Sequence, residues 1–190
     1  SIRVKTLISA TTACVVGILW DDVFTKYFYN YQTVAIMLIL VGVVFIIIER
    51  SNKNKIAKID SIDDISYGQA FLIGVFQMIA AIFPGTSRSG STIVGSLMLG
   101  ISRTAAAEFT FFLAVPAMFG GSAIKILKYS GGFNSAEVAL LAIGMIVAFV
   151  LSIIAIKFLM SYIKKHDFKV FGWYRIILGI AVIGYFLATR

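Results

Sequence analysis

Apolar runs of roughly 15–25 residues recur along this chain from end to end, separated by short loops that hold most of its charge. Hydrocarbon offers no partner for backbone N–H and C=O groups, so each crossing segment must satisfy its own backbone and must be helical. Composition agrees: 59% of the 190 residues are hydrophobic and the mean hydropathy is +0.94, far above a soluble domain of this length. The expectation is an all-α integral membrane protein. Residues 1–190 read as a single membrane domain, because no stretch is left for a separate soluble one. Five segments are long enough to cross: about 4–20, 33–48, 103–126, 136–160 and 172–188.

The formal charge of +8 does not form a continuous basic stripe. It lies in loops, which fits topology control and not nucleic-acid binding. Arg50, Lys53, Lys55 and Lys58 mark the loop after the second span as cytoplasmic. Alternation then places Arg3 and Lys5 inside and, if residues 68–100 enter and leave on the cytoplasmic side, Arg103, Lys164, Lys165 and Lys169 as well. The Asp21-Asp22-Lys26 loop, Lys125, Lys128 and Arg190 fall outside. Cys14 is the only cysteine and lies in an apolar run, so it forms no internal disulfide and reads as a small apolar residue. The chain opens on Ser1-Ile2-Arg3-Val4-Lys5, directly before an apolar segment and without an initiator Met. A preceding segment is expected; no signal peptide is visible, and the first apolar run would serve as an insertion signal.

The region of about 68–100 breaks the pattern. Residues 68–83 make roughly 24 Å of helix and residues 87–100 about 21 Å, and neither comfortably spans a core of about 30 Å. Pro84-Gly85 interrupts them, since proline removes a donor and restricts its predecessor while glycine tolerates unusual dihedrals. The expectation is a re-entrant helix–loop–helix, although two short full spans would give the same charge parity. Broken helices at bilayer depth often line a binding site.

Between the two halves stands Pro84-Gly85-Thr86-Ser87-Arg88-Ser89-Gly90-Ser91-Thr92-Ile93. An unpaired Arg88 within hydrocarbon costs roughly 2.5–3.5 kcal/mol on insertion scales, so an anionic partner is expected. A helix starting near Ser87 or Ser89 would aim free N–H groups and the positive dipole end into the loop. Gly85 and Gly90 admit close backbone approach, the hydroxyls donate, and Arg88 adds a bidentate fork suited to two phosphate oxygens. The competing view is an ordinary cap cluster with Arg88 snorkelling to headgroups. A Walker loop is excluded, because the Gly-Lys-Ser/Thr ending is absent.

The string Pro84-Gly85-x-Ser87-Arg88-Ser89-x-x-Thr92 resembles the second signature of the undecaprenyl pyrophosphate phosphatases of the BacA/UppP type. Tyr67-Gly68-Gln69-Ala70-Phe71, Ser102-Arg103, Ala107-Glu108-Phe109, Phe112-Leu113-Ala114-Val115-Pro116 and Trp173-Tyr174-Arg175 are also similar to that family. The resemblance implies a bacterial plasma-membrane enzyme that hydrolyses undecaprenyl pyrophosphate to the monophosphate carrier lipid for cell-wall synthesis, in a family linked to bacitracin resistance. Bacitracin would compete indirectly, for the substrate. The family's first half carries a Glu-rich motif and a Ser-Ser-Thr-Gly-His-type loop, related to the second half by an inverted repeat. Neither motif occurs here, so this chain resembles the C-terminal portion of such a fold and is expected to be inactive if the first half is truly absent.

The roles that follow are expectations. Arg88 clamps the pyrophosphate and stabilises charge on the transferred phosphoryl group. Gly85, Thr86, Ser87, Ser89 and Thr92 complete the phosphate-binding set. Ser87 is alternatively the nucleophile, although no base stands near it in sequence. The absent first half offers better candidates for nucleophile and base, and its Glu pair would hold a divalent cation, Mg or Ca; this chain itself shows no metal ligand set. Glu108 either supports the site or pairs with Arg103 or caps the re-entrant segment. His166, the only histidine, is read as an ordinary loop residue. Gln69 and Gln77 should bond across helices. Gly120, Gly121, Gly144, Gly179 and Gly184 should allow close helix contacts, and Tyr27, Phe28, Tyr29, Tyr31, Trp173 and Tyr174 should anchor at the interfaces. Asn134 or Ser135 should cap a helix after the Ser130-Gly131-Gly132 turn. The partners implied are the polyprenyl pyrophosphate and membrane lipids, with a homodimer compatible. A rival function, a lipid-phosphate flippase or transporter, would use the same anion site.

Overall fold

The computed structural model describes residues 1–12, 27–53, 55–129, 131–132 and 134–189. Cys14, Trp20, the Asp21-Asp22-Lys26 loop, Ser130 and Arg190 lie outside the described residues. Regular structure among the described residues is helical: α1 (residues 2–12), α2 (Tyr31–Asn52), α3 (Tyr67–Ile82), α4 (Arg88–Met98), α5 (Arg103–Lys128), α6 (Ser135–Ile163) and α7 (Lys169–Ala188). Side-chain caps start several of them. Asn30 accepts from the Thr33 N–H at 2.8 Å. Ser66 with Gln69, and Asn134 with Glu137, form reciprocal capping boxes that satisfy otherwise orphaned donors. Gln69 is therefore a cap, not a bond across helices.

Four described helices, α2, α5, α6 and α7, are long and apolar enough to cross a membrane, and α3 is a shorter apolar helix. These four match the last four expected spans. Of the first expected span only residues up to 12 are described, and these are helical.

α2 and α7 pack antiparallel on glycine. A Cβ on Gly42 would stand 2.7 Å from the Gly172 carbonyl, and one on Gly179 would stand 2.9 Å from the Ala35 carbonyl. Gly179 thus permits close contact as expected. Gly120, Gly121, Gly144 and Gly184 do not: a Cβ at each would meet nothing within 4 Å, so these glycines face outward. Tyr31 and Phe28 are also drawn inward from the expected aromatic girdle. Tyr31 stacks on Phe186 with centroids 4.0 Å apart, and Phe28 meets Phe83 edge-on at 4.9 Å. Tyr27, Tyr29, Trp173 and Tyr174 remain exposed.

α3 and α4 form a hairpin in which the Phe76 ring lies on Gly95; a Cβ there would be only 2.5 Å from the ring. The two feet of the hairpin are stitched together. Lys58 N–H donates to the Gly100 carbonyl at 2.9 Å, and Ser102 N–H donates to the Ile59 carbonyl at 2.8 Å, around a single parallel bridge between Ile59 and Ile101. Asn52 Nδ2 donates to the Leu97 carbonyl at 3.2 Å, fixing these feet beside the C-terminal end of α2.

The same end is pinned by a buried carboxylate. Glu49, 1% exposed, accepts from Arg103 Nε at 3.0 Å and from the Phe168 N–H at 3.1 Å. One side chain therefore ties α2, the start of α5 and the α6–α7 loop, so Arg50–Lys58, Arg103 and Lys164–Lys169 share one end of the molecule. This corrects the expected Arg103–Glu108 pairing, since the Arg103 fork is taken by Glu49. Nearby, Asp167 accepts from Lys169 Nζ at 2.8 Å; burial works to raise its pKa, but Lys169 and Arg103 outweigh it and hold the carboxyl below its ordinary value. Above this end α6 stands almost bare, burying only Ile163 along its length.

Candidate phosphate site

The hairpin tip is shaped by two left-handed residues. Gly85 has φ 88°, and a Cβ there would collide with the Val34 carbonyl at 2.6 Å, so the loop backbone lies directly on the first turns of α2. Ser87 also has positive φ, 65°. For a residue with a Cβ such a conformation costs of order 1–3 kcal/mol and survives only where its surroundings fix it. Ser87 Oγ accepts from the Gly90 N–H at 3.2 Å, capping α4, and lies 3.1 Å from Ser89 Oγ.

The larger restraint comes from α7. Arg175 Nη2 donates to the Gly85 carbonyl at 2.7 Å and the Thr86 carbonyl at 3.0 Å. Hydrogen bonds from a charged donor contribute about 1.5–3 kcal/mol each, enough to outweigh the strain at Ser87. The Thr86 N–H closes the turn onto the Phe83 carbonyl at 3.4 Å. Thr86 itself is 1% exposed, and its hydroxyl has no partner among the described residues.

Arg88 is exposed at the start of α4, and its side chain has no hydrogen bond or ion pair among the described residues. It lines a cavity of about 240 Å³ with Gln77, Ser89, Thr92 and Thr110. A neighbouring cavity of about 330 Å³ is bordered by Ser87, Ser89, Gly90 and Arg175 on one side and by Leu38, Phe45, Phe111, Phe168 and Phe171 on another. Ser89 borders both, so the tip stands between a cationic pocket and an apolar one. The first N–H groups of α4 point into this junction with the positive end of the helix dipole, an arrangement suited to an anion.

The expected site residues separate here. Ser87, Arg88 and Ser89 border the junction, whereas Gly85 and Thr86 line neither cavity. Thr92 is 1% exposed, and its hydroxyl is engaged with the Arg88 and Ser89 carbonyls, each at 3.1 Å, and with Thr110 at 2.9 Å, which clips α4 to α5. Glu108 is half-buried, borders neither cavity and has no bonded partner among the described residues. His166 stacks on Tyr162 with centroids 4.3 Å apart, in the α6–α7 loop. The sequence points to no role for Arg175, Thr110 or Glu49; Arg175 belongs to the resembling string, but nothing in its spacing reveals its partners.

The described residues do not fit a divalent cation. No group of three His, Cys, Asp or Glu among them could hold one, and the buried Glu49 is committed to Arg103 and Phe168. No step below passes through a metal.

A family model described as "Bacitracin resistance protein BacA" matches residues 1–181. The chain belongs to the BacA family. Within it, the chain is 62% identical over 184 residues to an undecaprenyl-diphosphatase of Desulfitobacterium hafniense, covering 97% of this chain and 66% of that one. It is 60% identical over 187 residues to undecaprenyl-diphosphatase 1 of Clostridium acetobutylicum, covering 98% and 68%. A third relative, an undecaprenyl-diphosphatase of Enterococcus faecalis, is 56% identical over 183 residues, covering 96% and 66%. The chain thus spans about two thirds of the length of these BacA-family relatives.

Proposed function

We propose that this chain carries the phosphate-handling part of an undecaprenyl-diphosphatase, a hydrolase that converts undecaprenyl pyrophosphate to undecaprenyl phosphate and inorganic phosphate for cell-wall synthesis. The observation that carries the reading is Arg88: an exposed guanidinium without a partner among the described residues, at the start of a helix whose first turn borders the same cavity. In the hydrolysis the anhydride P–O bond breaks, the carrier monophosphate leaves with the electron pair, and an oxygen delivered from water ends on the released phosphate. Arg88 clamps the terminal phosphoryl oxygens, Ser87 and Ser89 donate hydroxyls, and the α4 N–H groups take the remaining charge, which is where catalysis of phosphoryl transfer chiefly resides. The apolar cavity beside Ser87 suits the first isoprene units of the lipid. A divalent cation, Mg or Ca, belongs to the proposal only with ligands from outside the described residues.

The site sits in a bacterial plasma membrane with α3–α4 as a re-entrant hairpin, the C-terminal part of an inverted-repeat fold. Stitched feet at the basic end support this, because they let the chain enter and leave beside one another. The tip touches Val34, roughly 22 Å along α2 from Glu49 at about 1.5 Å per residue. With the basic loops inside, the tip lies toward the outer face. Bacitracin would act on such a site by competing for its lipid substrate. The three relatives are each named for the phosphatase, and the flippase alternative finds no support in them.

Phosphate release from C55 pyrophosphate by the detergent-purified full-length gene product tests the reading. Turnover is expected, and Arg88→Lys should lower it by about 10²–10³-fold, because an ammonium cannot present the two-pronged fork. A folded parent that releases no phosphate, or an Arg88→Lys variant as fast as the parent, would overturn it.

A further inference from the structure

Arg175 reaches the Gly85 and Thr86 carbonyls from α7 and borders the 330 Å³ cavity, not the one that Arg88 lines. We propose that it is a positioning residue: by holding two loop carbonyls back, it turns the Ser87 N–H and the first turn of α4 toward the substrate phosphate. The proposal rests on the phosphatase reading above and adds a residue on a different helix from those in the signature.

The argument runs through peptide planarity. In a trans peptide the carbonyl and the following N–H point in opposite directions. With the Thr86 carbonyl drawn onto Arg175 at 3.0 Å, the Ser87 N–H must face the other way. The N–H groups of Ser87, Arg88 and Ser89 have no backbone acceptor among the described residues, so three donors at the start of α4 are left for a ligand. The loop would not hold this orientation unaided. Gly85 has no Cβ to limit rotation, and Ser87 sits at a φ that side chains disfavour. Rotation of either peptide would present a carbonyl oxygen to the phosphate, replacing attraction with repulsion.

Two further contacts show that the joint is built around a guanidinium. Gly90 leaves the room it needs, because a Cβ there would lie 2.9 Å from Arg175 Nη1. Arg175 Nη2 alone reaches both carbonyls with its two N–H donors, whose directions the planar guanidinium fixes; a lysine ammonium turns freely on a flexible stem and fixes neither. Arg175 borders the 330 Å³ cavity and not the cavity that Arg88 lines, which sets it apart from the clamp.

The test compares Arg175→Lys and Arg175→Ala with the parent in the full-length gene product, following kcat, KM, thermal midpoint and binding of radiolabelled C55 pyrophosphate. Misplacement of reacting groups by about 1 Å costs on the order of 10²-fold, so kcat should fall about 10- to 100-fold in Arg175→Lys while KM moves far less. Added guanidinium ion should restore part of the turnover of Arg175→Ala and leave the parent unchanged. Several outcomes overturn the proposal: parental kcat in folded Arg175→Lys, a purely KM effect, or failure of both variants to fold, which would make Arg175 structural only. If the parent binds C55 pyrophosphate but releases no phosphate, the phosphatase reading fails by itself. Arg175 is then judged on binding, where unchanged affinity in Arg175→Lys overturns it.

Discussion

Glu49 and Arg103 differ sharply in what each would suffer alone. Glu49 is 1% exposed and the Arg103 side chain 37%. Removing Arg103 leaves a buried carboxylate with, among the described residues, the Phe168 N–H alone, whereas removing the charge of Glu49 leaves a guanidinium that can turn toward water or headgroups. Arg103→Gln should therefore destabilise by roughly 3 kcal/mol, the low end for a broken buried pair, and Glu49→Gln by less. Thermal unfolding in detergent checks the order; equal losses would show that the desolvation of Glu49 is not what the pair relieves. The sequence displayed Arg103 beside Glu108, five positions on, and hid its true partner 54 positions upstream. Short-range spacing on a helix lists candidates, and only packing selects among them.

At the scale of elements, glycine separates packed faces from bare ones. A methyl at Gly42 would press on the Gly172 backbone, which cannot yield as a flexible side chain could. Gly42→Ala should lower stability by about 1–3 kcal/mol through overpacking and wedge α2 away from α7. Gly144→Ala, on the bare α6, should be neutral or stabilising by up to about 1 kcal/mol, since it only adds helix propensity. Thermal midpoints of the two variants test the pair, and a larger loss in Gly144→Ala would contradict the packing described. The glycines were visible in the sequence, but a glycine reads the same whether a neighbour's backbone or a lipid chain lies against it. The α3–α4 hairpin was more legible, because its two short arms and Pro84-Gly85 are local facts of chain length and backbone chemistry.

For the whole molecule, the consequence is sidedness. The C-terminal end of α2, the feet of the hairpin, the start of α5 and the α6–α7 loop meet at one end, and Lys125 and Lys128 at the far end of α5 lie roughly 35 Å away along that helix. In a Cys14→Ser background, Ile56→Cys and Lys165→Cys should react with impermeant thiol reagents from the cytoplasmic side, and Lys128→Cys from the opposite side. Labelling of Ile56→Cys and Lys165→Cys from different sides would break the arrangement held by Glu49.

The linear chain was enough to give the helical, apolar architecture, the positions of the four long described helices and the interruption at Pro84-Gly85. Each depends on composition, length or local backbone chemistry, which a linear chain displays directly. Tertiary structure alone decided that Glu49 binds Arg103, that Thr92 clips α4 to α5, and that Arg175 holds the loop from 90 residues downstream. Those choices depend on which side chains are carried to the same few ångströms when antiparallel helices pack. Distance along the chain contains no record of that.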